Sequence, residues 1–225
     1  MGLMKTQATH PWDVTPKEAI AIQQEWRGKV IRTDQIGPVS FVAGVDVGLE
    51  ENNTIARAAV AVLSFPELVL VTHSIARLPV QFPYVPGLLS FREVPVVLKA
   101  LESLTIAPDL LLVDGQGIAH PRRFGIACHL GVLCDLPAIG VGKTRLTGTF
   151  QEPAQQKGKW SPLYDKDETI GAVLRTREGI KPLYISTGHR VSLETAIHYV
   201  MACVTKYRLP ETTRWAHKLA SGPAK

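Results

Sequence analysis

Two short, wholly apolar segments, residues 110–113 and 138–141, limit most narrowly the folds that this chain can adopt. Between them, residues 122–133 carry apolar side chains at helical spacing. A buried strand, a helix and a second buried strand at this spacing are typical of a parallel βαβ unit, because parallel strands need a long crossover connection. The sequence therefore predicts an α/β protein with at least one pair of parallel strands.

Three longer strand-like segments precede this unit, at residues 41–48, 56–65 and 69–78. The residues between them, Glu51-Asn52-Asn53 and Pro66-Glu67, are typical of turns, so the segments are predicted to form an antiparallel meander. We expect the meander and the parallel strands to share one mixed β-sheet, with helices on both faces. Residues 1–225 are predicted to form a single domain.

Two helices are predicted in the first half of the chain. Thr15, Pro16 and Glu18 have the spacing of a helix start with a capping box. A second helix is expected over residues 94–104, where Pro95 is compatible only with the first turn.

The last third of the chain is predicted to complete the sheet. Strands near residues 169–175 and 183–186 join the parallel half, and a helix follows over residues 192–206. Residues 151–166 contain three Gly or Pro residues and many polar ones, so this segment is predicted to be flexible.

Composition and charge leave several partner classes open. Hydrophobic residues make up 45% and charged residues 20%, which fits a folded, water-soluble protein. The net charge of +5 permits a polyanionic partner without requiring one. Three scattered cysteines, an N-terminus without an apolar stretch and the lack of a membrane-length apolar segment indicate a cytoplasmic protein with no membrane contact. No sequence feature requires a partner subunit, so a monomer is expected.

Three acidic residues are candidates for a metal site. Asp46 interrupts the apolar strand FVAGVDVG, where it either faces solvent from an edge strand, caps a loop, or is buried with a compensating partner. Asp114 ends LLLVD, either at the ligand-binding end of a parallel strand or as part of an Asp-Gly turn. Glu93 is either a third acid or the capping-box partner of Ser90. Carboxylates at neighbouring strand ends suit Mg²⁺ or Mn²⁺.

Residues suited to phosphate binding surround these acids. Gly115-Gln116-Gly117 offers close backbone access, and the His120–Arg123 segment leads into a predicted helix N-terminus. Lys143 follows the second apolar strand, near the same sheet edge. Gly142-Lys143-Thr144 is not a nucleotide-binding P-loop, because the preceding glycine of that motif is absent.

Five segments together resemble the endonuclease V family. They are FVAGVDVG, PYVPGLLSFRE, VDGQGIAHPRRFG, AIGVGKTRL and STGHRVS, in the order in which they occur. The resemblance covers most of the chain and implies a ribonuclease-H-like sheet in which Asp46, Glu93 and Asp114 bind Mg²⁺, with Mn²⁺ able to substitute. Two positions depart from the family pattern: Gln116 stands where many relatives have His, and Gly142 where Ala is common.

The resemblance implies a DNA repair endonuclease that acts on deoxyinosine or other deaminated bases. It would hydrolyse the second phosphodiester bond 3′ to the lesion and leave 3′-hydroxyl and 5′-phosphate ends. Lys143 would neutralise charge developing on the phosphate, and His217 would assist the metal-bound water.

The resemblance also implies residues that bind the substrate. Pro83, Tyr84, Val85 and Pro86 would form a wedge in which the Tyr84 ring stacks on a base. The remaining candidates would contact the flipped base or its strand; they are Gly87, Leu89, Gly115, Gly117, His120 and Arg122.

Two alternative functions remain open from sequence. An endoribonuclease specific for inosine could use the same acids, because a pocket that reads the base need not read the sugar. A catalytically silent nucleic-acid-binding module could share the fold. The presence of all three acids argues against the silent module.

Overall fold

A computed structural model describes residues 9–222 of the chain. The prediction of an N-terminus without an apolar stretch rests in part on residues 1–8, which lie outside this range. All eight strands belong to one sheet with the order β3-β2-β1-β4-β5-β8-β7-β6. In chain order the strands are β1 Phe41–Glu50, β2 Ile55–Ser64, β3 Leu70–Pro79, β4 Leu110–Asp114, β5 Ala138–Gly142, β6 Trp160–Asp165, β7 Glu168–Leu174 and β8 Leu183–His189.

The first half of the sheet is as predicted. Strands β1, β2 and β3 form an antiparallel meander, and Glu51, Asn52 and Asn53 adopt positive φ in the turn between the first two. Strand β4 pairs in parallel with β1 and with β5, which confirms the βαβ unit. The mixed sheet inferred from the sequence is therefore confirmed.

The second half of the sheet differs from the prediction. Strand β8 pairs antiparallel with β5, and β7 and β6 continue antiparallel from it, so the parallel part consists of β1, β4 and β5 alone. A connection as short as that between β6 and β7 can join only antiparallel strands. Residues 151–166 include β6, in which Leu163 is buried, so the prediction of a flexible segment there is wrong.

Helices cover both faces of the sheet, as predicted. The five α-helices are α1 Pro16–Trp26, α2 Leu89–Glu102, α3 Ile126–Cys134, α4 Leu193–Ala202 and α5 Glu211–Ala220. One core cluster joins α2, α3 and Trp26 of α1 to the sheet, and a second joins α4 and α5 to the opposite face. The capping box of Thr15 and Glu18 is present at the start of α1.

The boundaries of three helices differ from the prediction. Helix α2 begins at Leu89, so Pro95 lies in its second turn and Ser90 lies inside the helix without capping it. Helix α3 begins only at Ile126, because Arg123 has a left-handed φ of 57° and Gly125 is extended, and an α-helix can contain neither conformation. Helix α4 begins after Ser192 as predicted but ends at Ala202.

Sequence reasoning missed helix α5. No run of large apolar side chains marks this helix. Its buried residues are small; they are Thr212, Thr213, Ala216 and Ala220. The helix packs unusually close to β1, which presents two glycines to it. A Cβ at Gly44 would collide with the backbone of Thr212, and one at Gly48 would lie 2.5 Å from the carbonyl oxygen of Ala220. Small residues on both sides therefore allow this contact.

Candidate active site

Asp46 and Asp114 lie on the neighbouring parallel strands β1 and β4. The register pairs Val45 with Val113, so the two acids occupy the next positions along their strands. Strand β1 lies between β2 and β4, and only 13% of the Asp46 side chain is exposed, which excludes the edge-strand alternative. Asp46 is therefore a largely buried carboxylate whose charge requires compensation.

Helix α5 brings His217 to these two acids. Its Nδ1 lies 2.8 Å from Oδ2 of Asp46. One ligand atom each from Asp46, Asp114 and His217 lies within 4.8 Å of the other two. The imidazole is 57% exposed, so the group opens toward solvent on the His217 side.

Lys143 and Glu93 complete the charged group. The ammonium of Lys143, which follows β5, contacts the carboxylate of Asp114. Burial, together with the negative charges of Asp46 and Asp114, raises the pKa of Glu93 to about 8. Burial and the charge of Asp46 also raise the pKa of Asp114, despite its contact with Lys143. The negative charges of Asp46 and Asp114 therefore affect the ionisation of Glu93 on α2. Glu93 is not one of the three residues whose ligand atoms lie within 4.8 Å of one another.

This arrangement fits a divalent cation. Carboxyl groups that disfavour one another's ionisation would be stabilised in their charged forms by a bound cation. Oxygen ligands from Asp46 and Asp114 suit hard cations, and His217 adds a nitrogen at the exposed side. The group could thus hold a divalent cation.

A cavity of about 410 Å³ adjoins the acids. Asp114 and Lys143 form part of its wall, together with seven of the candidates for substrate binding: Tyr84, Val85, Pro86, Gly87, Leu89, Gly115 and His120. The Tyr84 ring is 73% exposed and Leu89 is also exposed, so both offer apolar surface to a bound group. Sequence reasoning missed Gln23, a buried helical residue of α1 that also lines the cavity and carries no local signal of this role.

Three candidates have roles inside the protein. The carbonyl oxygen of Gly87 accepts hydrogen bonds from Nε2 of Gln23 at 3.0 Å, Nε2 of His120 at 3.0 Å and Nη2 of Arg122 at 2.7 Å. His120 and Arg122 therefore anchor the loop that carries Tyr84; their contact with the substrate strand stays a prediction. The Gly87 carbonyl is correspondingly engaged within the protein.

His120 is neutral in this network. Its Nδ1 accepts from the backbone N–H of Arg122 at 3.1 Å, so the proton resides on Nε2, which donates to Gly87. Burial, followed by the charge of Arg122, lowers the pKa of His120 to about 4. Its side chain thus acts as a hydrogen-bonding spacer between two loops.

Gly115 is part of the cavity wall, whereas the last two candidates, Gly117 and Pro83, are not. Gly115 lines the cavity with φ of +151°, a value that favours glycine, and a Cβ there would contact Ile126. Gly117 does not line it, because its N–H donates to Ser186 at 2.9 Å and its carbonyl accepts from Gly125 at 3.0 Å. Pro83 is likewise outside the cavity wall.

Comparison with known proteins identifies the family. The family model for endonuclease V matches residues 24–218. Endonuclease V of Rippkaea orientalis is 60% identical over 218 residues, covering 97% of this chain and 95% of the relative. Endonuclease V of Trichormus variabilis is 60% identical over 219 residues, covering 97% and 99%.

Solved structures agree. The crystal structure of endonuclease V from Streptomyces avermitilis superimposes with a TM-score of 0.90 at 44% identity and covers 96% of each chain. Ciona intestinalis endonuclease V, bound to a 23mer DNA containing an inosine followed by a ribo-adenosine, gives a TM-score of 0.80 at 29% identity and covers 92% of this chain and 97% of its own.

These likenesses confirm the ribonuclease-H-like fold expected from sequence. Within residues 9–222, no helix has the length and apolar character needed to cross a membrane. The chain belongs to the endonuclease V family, whose members are nucleases, hydrolases of DNA repair.

Proposed function

We propose that this protein is a Mg²⁺-dependent endonuclease that recognises deoxyinosine in DNA and hydrolyses the second phosphodiester bond 3′ to it. The products are a 3′-hydroxyl and a 5′-phosphate. One observation carries the proposal: Asp46, Asp114 and His217 converge beside a cavity whose volume, about 410 Å³, falls in the range of ligand pockets.

The acids hold the cation. Asp46 and Asp114 would be its ligands, and Glu93 would join them once it loses its proton. Mg²⁺ held there, or Mn²⁺ in its place, would supply polarisation of a phosphoryl oxygen and a lower pKa of a bound water. Binding of the cation at the acids also relieves their mutual repulsion.

His217 and Lys143 serve the phosphate and the attacking water. Nδ1 of His217 donates to Asp46, which leaves Nε2 as an acceptor that can take a proton from the water. The Lys143 ammonium lies beside Asp114, where it can neutralise charge that develops on the phosphate.

The cavity accepts the lesion. Hypoxanthine presents O6 as an acceptor and N1–H as a donor, the reverse of adenine, so backbone groups around Gly115 can select it once it leaves the stack. The exposed Tyr84 ring fills the space vacated in the strand, and Leu89 packs on the base face. Rigid attachment of the Tyr84 loop through Gly87 supports this wedge.

A nicking assay tests the proposal. End-labelled DNA with one deoxyinosine, matched inosine RNA and undamaged DNA are incubated with Mg²⁺ or with EDTA, using the wild type and Asp46→Ala. We expect a Mg²⁺-dependent nick two linkages 3′ of deoxyinosine that the variant cannot make. Cleavage of the RNA alone would show that the same acids act on RNA and that DNA is not the substrate. Retained inosine binding without any cleavage would identify a binding module and refute the enzymatic proposal.

A further inference from the structure

Gln116 joins the loop that follows Asp114 at the end of β4 to the loop that carries Lys143 after β5. Its Nε2 donates to the carbonyl oxygen of Thr144 at 3.0 Å. Because a backbone carbonyl can only accept, the amide nitrogen must face Thr144, which fixes the orientation of the side chain. The same two short segments are also joined by the contact between Lys143 and Asp114. Residues 114–116 and 143–144 are thus linked twice, once through each pair.

The backbone around Lys143 is held at consecutive peptides. The carbonyl of Lys143 accepts from Nη2 of Arg208 at 2.9 Å, and that of Thr144 accepts from Gln116. Arg208 is itself fixed by a second bond to the carbonyl of Pro182 at 2.7 Å. The direction in which the Lys143 side chain leaves the backbone therefore depends on Arg208 and Gln116 together.

The Gln116 amide occupies the space that a Cβ at residue 142 would need, so a side chain there would displace the amide from its present position. The three atoms nearest to a Cβ built at Gly142 all belong to the Gln116 amide: Nε2, Cδ at 3.0 Å and Oε1 at 3.1 Å. Oε1 is buried and has no hydrogen-bond partner within residues 9–222. The bridge therefore depends on a single hydrogen bond and on the space left by Gly142.

We propose that Gln116 is a positioning residue for Lys143, and that Gly142 provides the room that lets it act. This inference rests on the nicking activity proposed above. Gln116, which itself forms part of the cavity wall, acts on the reaction through Lys143: it holds the Lys143 loop so that the ammonium stays at Asp114.

A double-mutant cycle tests the proposal. Gly142→Ala displaces the amide and Gln116→Met removes its hydrogen bond at similar volume, so we expect each to lower kcat about tenfold with KM unchanged. The double variant should be no slower than Gln116→Met alone, because the added methyl no longer competes with a bonded amide. Gly37→Ala is the matched control, since a Cβ there meets nothing within 4 Å. Additive losses, or a rise in KM alone, would overturn the proposal.

A second readout separates this inference from the nicking activity itself. The ¹³Cε and ¹⁵Nζ signals of Lys143, assigned with Lys143→Arg, report the surroundings of its ammonium. We expect them to shift in Gly142→Ala and Gln116→Met and to remain in place in Gly37→Ala. Unshifted signals in both site variants would reject the positioning role. If the wild type does not nick, the function proposed above fails, and the Lys143 signals alone decide whether Gln116 positions the lysine.

Discussion

The carboxyl of Glu93 has a pKa of about 8 in the folded protein, against an ordinary value of 4.5. Folding therefore favours its protonated form, so ionisation destabilises the protein progressively as pH rises from 4.5 toward 8. We predict that Glu93→Gln, which cannot ionise, is more stable than the wild type in EDTA at pH 7.5, by on the order of 2 kcal/mol. The gain should vanish near pH 4, and nicking should be lost at every pH.

Urea unfolding at the two pH values measures this difference. Glu102→Gln is the matched control, because Glu102 is an exposed acid on the same helix, α2. An equal stability of Glu93→Gln and the wild type at pH 7.5 would contradict the electrostatic account of the site.

Single residues show where sequence reasoning works and where it stops. Asp46 and Asp114 could be predicted as a pair, because Asp46 interrupts one apolar strand and Asp114 ends another. The role of His120 could not, since its partner Gly87 lies 33 residues away and its own neighbours suggest an anion site. The dependence of Gln116 on Gly142 is likewise visible only when the loops are brought together.

The contact between helix α5 and strand β1 yields a prediction at the scale of elements. A methyl group at Gly44 would meet the backbone of Thr212, which cannot move aside as a side chain could. We predict that Gly44→Ala lowers the free energy of unfolding by about 2–3 kcal/mol through overpacking. It should also reduce nicking, because α5 carries His217.

Chemical denaturation measures the loss of stability. Gly28→Ala is a suitable control, since a Cβ at Gly28 has open space around it. A Gly44→Ala variant with wild-type stability would show that α5 does not rest against β1 as described.

Helices and strands with clear local sequence signals were predicted well. The start of α1 at Thr15 and the strands β1 to β5 follow from capping residues, apolar runs and turns. Helix α5 escaped prediction because its buried face is made of small residues. Strand β6 escaped because it lies at the edge of the sheet, where Leu163 is the one buried side chain of its six residues.

Cation binding is expected to stabilise the whole molecule. A ligand that binds only the folded state at a hundred times its Kd adds about 2.7 kcal/mol to the free energy of unfolding. We predict that Mg²⁺ raises the Tm of the wild type and leaves that of Asp46→Asn unchanged. Asp167→Asn, at the exposed turn between β6 and β7, should respond as the wild type does. An equal rise in Asp46→Asn would place the bound Mg²⁺ elsewhere.

The global topology was predicted in part. The meander and the parallel unit are encoded in consecutive segments, and their union in one sheet follows from their shared core. The direction of β8 beside β5 is set by pairing between segments more than 40 residues apart, which no local pattern specifies. The sheet consequently contains more antiparallel strand pairs than we predicted.

The contact between β1 and α5 also determines how early the site can form during protein synthesis. Asp46 and its partner His217 are 171 residues apart in the chain. At about 5–20 residues per second, a ribosome needs roughly 10–30 s to pass from one to the other. Throughout that interval the nascent chain holds its first acid without the histidine that completes the group. Synthesis itself thus delays assembly of this group of residues until all eight strands of the sheet have been made.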